Sequence, residues 1–242
     1  MQPDRPTVQG ELERAFEILL REPARITGAG RTDSGVHALH YVAHFDALRE
    51  DLHMDSSFVR KLNIILPPEI VIYRIFAVPS FVSARFTAIS RTYHYRIATK
   101  KNPFTIKMAY HFYRPLDLTK MNEAAAILPE YKDFTSFSKL HGDTRTNICN
   151  LLSAHWFDDC NGEIRFEITA NRFLRNMVRA IVGTMIEIGL GKYPSDDIRK
   201  IIMEKNRNAA GISVPPQGLY LAGIEYPEII HSLQNISSCN HL

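Results

Sequence analysis

Gly28-Ala29-Gly30-Arg31-Thr32-Asp33-Ser34-Gly35-Val36-His37-Ala38 is the densest local signal in the chain. The glycines at 28, 30 and 35 let the backbone bend tightly and hold Asp33 beside Arg31 and Thr32. Their spacing is not that of a dinucleotide fingerprint, and no Gly-Lys-Ser/Thr ending marks a phosphate loop, so a nucleotide cofactor is not expected. From these residues alone two readings stay open. One is a carboxylate poised for reaction; the other is an ordinary turn in which Asp33 satisfies backbone amides.

Outward from the turn, residues 24–27 precede it and a β-like run over 41–45 follows it, a loop position that often carries chemistry. Further upstream, Val8, Leu12, Ala15, Phe16, Leu19 and Leu20 recur at helical spacing. Thr7 can cap that helix and Pro23 limits its far end. Downstream, the pattern predicts a short helix over 58–66, stopped by Pro67-Pro68, and a strand over 70–78. A strand over 91–99 should carry Tyr93, Tyr95 and Ile97 on one face and His94 and Arg96 on the other. Residues 118–128 read as a helix, and Ile164, Phe166, Ile168 and Ala170 alternate as a half-buried strand does.

The strongest helix signal starts near Phe173, with Met177, Ile181, Val182, Met185 and Ile186 on one apolar face and an end at Gly189 and Gly191. Ser195 opens a last helix through 206, a strand closes the fold over 219–226, and 231–242 reads as a loose tail. No internal repeat is present. At 242 residues the chain exceeds the usual size of one domain, which favours two, with a boundary expected near 79–85.

With 45% hydrophobic and 23% charged residues the chain can bury a core without staples. The net charge of +3 is too slight to demand or exclude a nucleic-acid partner, so the placement of basic residues matters more than their sum. Cys149, Cys160 and Cys239 are odd in number and widely spaced, which suggests neither a disulfide framework nor a zinc site. With a polar start and no run of about 20 apolar residues, a reducing, cytoplasmic setting without membrane insertion is the expectation.

Three further groups of residues carry possible chemistry. Arg172, Arg175 and Arg179 fall at spacings of three and four, which would put a basic stripe on one side of the long helix. Such a stripe is either a solvated face or a phosphate contact, and the planar guanidinium suits anions. Arg91-Thr92-Tyr93-His94-Tyr95-Arg96 interleaves rings and cations on a strand, fit for stacking a base or merely for packing a sheet. His37, His40 and His44 suit neither one strand face nor a known ligand pattern, so no metal is expected.

These residues closely resemble the tRNA pseudouridine synthase A family. The likeness runs through Gly-Ala-Gly-Arg-Thr-Asp-Ser-Gly-Val-His-Ala at 28–38, Ala-Arg-Phe at 84–86 and Arg-Thr-Tyr-His-Tyr at 91–95. It continues in Asp-Phe-Thr-Ser-Phe at 133–137, Asn-Arg-Phe-Leu-Arg-Asn-Met-Val-Arg-Ala-Ile-Val-Gly at 171–183 and Pro-Pro-Gln-Gly-Leu-Tyr-Leu at 215–221. Ordered blocks spread over nearly the whole chain are far more specific than one short motif.

The resemblance implies an α+β pseudouridine synthase fold: two similar domains, each an antiparallel sheet with helices packed on one face, and a cleft between them. The expected division is 1–82, carrying the Asp33 motif, 83–230, and a tail at 231–242. It implies isomerisation of uridine to pseudouridine at positions 38, 39 and 40 of the tRNA anticodon arm, by a homodimer that needs no cofactor and no metal. Asp33 becomes the catalytic carboxylate, as nucleophile on the ribose or as base. Tyr93 packs against the target uridine, and Arg179 pairs with Asp33 and keeps it ionised. Arg31 and Thr32 complete the substrate pocket, while Arg172, Arg175 and Arg85 hold RNA phosphates.

The family's chains begin with a strand and a Tyr-Asp-Gly-type segment running into Gly-Trp-Gln, whereas this sequence starts inside that segment and has Trp156 as its only tryptophan. The expectation is an exposed sheet edge. The second reading is accordingly a weakly active or inactive tRNA-binding protein. A glycosidase ranks lower, because it would need two carboxylates flanking the bond and the Asp33 motif supplies one.

Overall fold

The computed structural model describes residues 6–139, 146–228 and 230. In chain order the helices are α1 (Val8–Leu20), α2 (Ser56–Ile65), α3 (Leu118–Ile127), α4 (Met177–Gly189) and α5 (Asp197–Met203). The strands are β1 (Thr27–Gly28), β2 (His37–Ala38), β3 (Ala43–His44), β4 (Ser90–Ala98), β5 (Tyr110–His111), β6 (Leu151–Asp158), β7 (Glu163–Ala170) and β8 (Leu219–Glu225). The chain forms two compact units. The first comprises Met1–Arg31, Val42–Ala88 and Tyr226–Leu242, and the second comprises Thr32–Tyr41 and Ile89–Glu225. This grouping differs from the expected cut at 82/83: the segment with Asp33 belongs to the second unit, because β2 pairs with β8.

In the first unit, Thr7 caps α1 by accepting from the Gly10 amide at 3.1 Å, and the helix ends where Arg21 adopts a left-handed conformation. Leu12, Ala15 and Phe16 of α1 meet Phe58 and Leu62 of α2 in a small core with Ile26, Leu52 and Leu66. Phe16 makes edge contacts with Phe45 and Phe58. β1 and β3 pair antiparallel. The strand expected over 70–78 is not formed among the described residues. Ile70, Ile72 and Ile75 still pack on the core. The Asn63 side chain on α2 replaces a ladder locally, donating to the Ile72 carbonyl at 2.8 Å and accepting from its amide at 2.7 Å.

The second unit is built on a mixed sheet in the order β2-β8-β4-β7-β6, with β5 beside the far end of β4. β4, β7, β6 and β8 run antiparallel, as expected, while the short strands β2 and β5 pair parallel with β8 and β4, so the sheet as a whole is mixed. As the alternation predicted, Tyr95 and Ile97 of β4 are fully buried while His94 and Arg96 face the other way, toward Glu167 and Glu163. Phe166 and Ile168 of β7 join them under α3 and α4. β6 carries Trp156 into the same core, and Asn122 of α3 clamps the Trp156 backbone from the other side.

Two helix boundaries differ from the sequence reading. α4 begins at Met177 rather than near Phe173, because Asn176 sits in the left-handed region at φ 68° and breaks the helical path. α5 ends at Met203, before the expected 206, and a single turn over Arg207–Ala209 follows. The tail expected over 231–242 lies outside the described residues.

Candidate active site

Asp33 opens a tight turn of the second unit, in which the Val36 amide donates to the Asp33 carbonyl at 3.2 Å. Gly35 sits at φ 83°, a conformation that a side chain disfavours, so the turn needs glycine there. Next to it, the ring of Pro216 lies only 3.1 Å from where a Gly35 Cβ would stand. The turn is thereby fixed on one flank by the 215–218 stretch of the same unit.

Arg179 projects from the first turn of α4, and its Nη1 donates to Asp33 Oδ2 at 3.2 Å. Its Nε donates to the Val214 carbonyl at 2.6 Å, which sets the plane of the guanidinium. Only 18% of the Arg179 side chain is exposed against 59% of Arg175, whose Nε lies 3.5 Å from Asp33 Oδ1. The Arg179 contact is therefore the stronger partner, since ion pairs open to water contribute little.

Tyr93 on β4 is half-buried and meets the ring of Phe173 edge-on at 5.1 Å. Burial pushes its phenol up to about 12, with the nearby Tyr41 and the Asp33 charge acting in the same direction. The hydroxyl thus stays protonated near neutrality, and the ring is an aromatic surface rather than an anion. Asp33, Arg179, Arg175 and Tyr93 therefore come together in the second unit, as a carboxylate between two cations within electrostatic reach of a ring.

Other residues singled out from the sequence stand apart from this group. Arg172, like the Arg175 already placed beside Asp33, lies in the loop before α4 and not on it, so the basic stripe does not form. Arg172 donates to the Thr146 carbonyl at 3.4 Å. Thr32 is exposed beside Asp33. Arg31 is exposed and Arg85 lies over the Phe86 ring at 5.3 Å, and both belong to the first unit. His44, also of the first unit, accepts from the Ala84 amide, whereas His37 of the second stacks on Tyr220. Among the described residues no group of three His, Cys, Asp or Glu is placed to hold a metal ion. Burial raises the Cys149 thiol to about 11, which makes it a poor nucleophile.

Sequence reasoning missed the Val214 carbonyl, the Phe173 edge and the Pro216 contact. The 215–221 motif was the available signal for the last.

Residues 131–227 match the sequence profile described as tRNA pseudouridine synthase. The chain is 48% identical over 227 residues to the tRNA pseudouridine synthase A of Porphyromonas gingivalis, covering 93% of this chain and 90% of that protein. The Bacteroides fragilis protein of the same name is 49% identical over 230 residues, 95% of this chain and 91% of its own. This chain belongs to the tRNA pseudouridine synthase A family. A more distant member, from Bacillus velezensis, is 36% identical over 230 residues, 93% of this chain and 92% of its own. Identity of this extent spans both units, so the Asp33 turn, β4 and α4 all fall within the tRNA pseudouridine synthase A match.

Proposed function

We propose that the protein isomerises uridine to pseudouridine in the anticodon arm of tRNA, at positions 38, 39 and 40, with Asp33 as the catalytic carboxylate. The observation that carries this is the Asp33–Arg179 pair beside Tyr93 in a chain of this family. The reaction breaks the bond between uracil N1 and ribose C1′, turns the base, and joins C5 to C1′; the proton on C5 leaves and N1 gains one. Asp33 serves either by attacking C1′ and holding the sugar covalently or by taking a proton while the base leaves. Both roles need an ionised carboxylate, and Arg179 Nη1 donates to Asp33 Oδ2 at 3.2 Å.

A stacked, paired uridine cannot turn over, so the nucleotide must be flipped out, at a cost of a few kcal/mol. Tyr93 then packs against the detached base, and Arg31 and Thr32 flank the carboxylate in sequence. Arg172, Arg175 and Arg85 hold RNA by its phosphates and shape. The protein works in the cytoplasm as a homodimer, without metal or cofactor; none of the described helices is long and apolar enough to cross a membrane.

The test is release of tritium from tRNA labelled at uridine C5. Release by the wild type, located to the anticodon arm and lost in Asp33→Asn, is the expected result. A wild type that binds tRNA without releasing tritium would overturn the reading. Light scattering at micromolar concentration checks the dimer.

A further inference from the structure

Arg179 does not hold its position alone. The segment over 207–216 runs beside the start of α4 and is fastened to it at several points. The Val214 amide donates to the Arg179 carbonyl at 3.3 Å, while Arg179 Nε returns a bond to the Val214 carbonyl. One helical turn on, the fully buried Thr184 hydroxyl donates to the Ala180 carbonyl at 3.0 Å and accepts from the Gly211 amide at 2.8 Å. Here the two backbones touch: a Cβ on Gly183 would stand 1.8 Å from the Ile212 carbonyl oxygen, and one on Gly211 2.7 Å from the Thr184 nitrogen.

Further along the same segment, the half-buried Arg207 donates to the carbonyls of Ala210 and Gly211 and to the Ser213 hydroxyl. The buried Tyr95 donates from its hydroxyl to the Pro215 carbonyl at 2.7 Å. Pro216 then meets Gly35, two residues beyond Asp33. A single strap therefore touches both members of the ion pair, the guanidinium through the Val214 carbonyl and the carboxylate's turn through Pro216.

We propose that this strap is the template that aligns Arg179 with Asp33, and that Thr184 and Arg207 are positioning residues for the reaction. The inference rests on the Asp33 reading given above. A hydrogen bond donated by Nε–H fixes the plane of a guanidinium, and thereby fixes which of its remaining N–H groups face the carboxylate. Thr184 acts at a distance: it holds Gly211, which sets the level of the strap along α4 and hence where the Val214 carbonyl sits. A misplacement of about 1 Å far from the chemistry can cost about a hundredfold in rate.

Thr184→Val keeps the shape of the side chain and removes the hydroxyl. The expected result is a fall in kcat of about tenfold to a hundredfold with KM for tRNA unchanged, restored to near wild type in Thr184→Ser. The companion readout is the Nε–H resonance of Arg179 in 15N-labelled protein. It should exchange slowly in the wild type and in Thr184→Ser and rapidly in Thr184→Val. Should Thr184→Val fail to fold, Arg207→Met carries the same two readouts. Unchanged kcat with only a lower melting temperature, or rapid exchange of the Arg179 Nε–H in the wild type, overturns the proposal. A wild type with no turnover would refute the function proposed above, and the Arg179 resonance would still decide this one.

Discussion

The two units use the same device on an extended segment and obtain different results. In the second, Asn122 of α3 accepts from the Trp156 amide and donates to its carbonyl, at 2.8 and 3.1 Å, while β6 is paired with β7 on its other side. In the first, Asn63 of α2 grips the Ile72 backbone equally well, yet no strand forms over 70–78 among the described residues. A side-chain amide can fix one residue of an extended chain, but only a ladder fixes the register of the whole. Trp156 is 2% exposed, whereas Ile72 is only half-buried and its neighbour Tyr73 is 79% exposed. The difference predicts that the second unit is packed tightly enough to hold catalytic geometry and that the first tolerates more change.

Glycine replacements give the largest contrast. Gly183→Ala brings a methyl group onto the Ile212 backbone, and backbone atoms give way less easily than a side chain. Alanine would gain up to about 1 kcal/mol in helix propensity, but overpacking of this kind costs about 1–3 kcal/mol and here lies at the upper end. Gly30 of the first unit has nothing within 4 Å of its would-be Cβ, so Gly30→Ala should change stability by less than about 0.5 kcal/mol. Urea denaturation of both variants measures this, and equal losses would break the comparison.

The two clamps sharpen it at a smaller scale. Asn122→Ala strips both partners from the Trp156 backbone within a packed edge and should cost about 2–3 kcal/mol. Asn63→Ala leaves Ile72 groups that water can reach, and should cost about 1 kcal/mol. Hydrogen exchange should speed up at Trp156 in the first variant by more than at Ile72 in the second.

The same contrast explains what could be read from the sequence. β4 was legible because Tyr93, Tyr95 and Ile97 alternate against one large core, and α1 because Thr7 and its apolar positions agree. Residues 70–78 are rich in β-branched and aromatic side chains, but a strand also needs a partner, and pairing is not local. β6 escaped notice because only Leu151 and Trp156 are buried along it, which breaks the period of two. The start of α4 was misplaced because Phe173 continues the apolar spacing while packing on Tyr93 from outside the helix. At the site, the Asp33 turn was visible in its glycines, whereas Asp33 and Arg179 lie 146 positions apart and no spacing rule joins them. The Val214 carbonyl could not be foreseen, since any residue supplies one.

Acid gives the smallest effect and the most local one. His94 on β4 stands 2.9 Å from Glu167, an arrangement that by itself would favour the charged imidazole. Desolvation and the Arg165 guanidinium outweigh it, so the His94 pKa lies below its ordinary 6.5. The folded protein then binds this proton less readily than the unfolded chain does. The stability contributed is fully present above the ordinary value and is lost as pH falls through the lowered one. Denaturation midpoints measured from neutral pH downward should therefore fall more steeply in the wild type than in His94→Gln, which has no proton to take up there. Hydrogen exchange should place the loss in β4 and β7 and leave α1 and α2 of the first unit unaffected by the substitution. An identical pH slope in the two proteins would mean that Glu167 prevails over burial at this position, and that the open face of the second unit's sheet is wetter than its core.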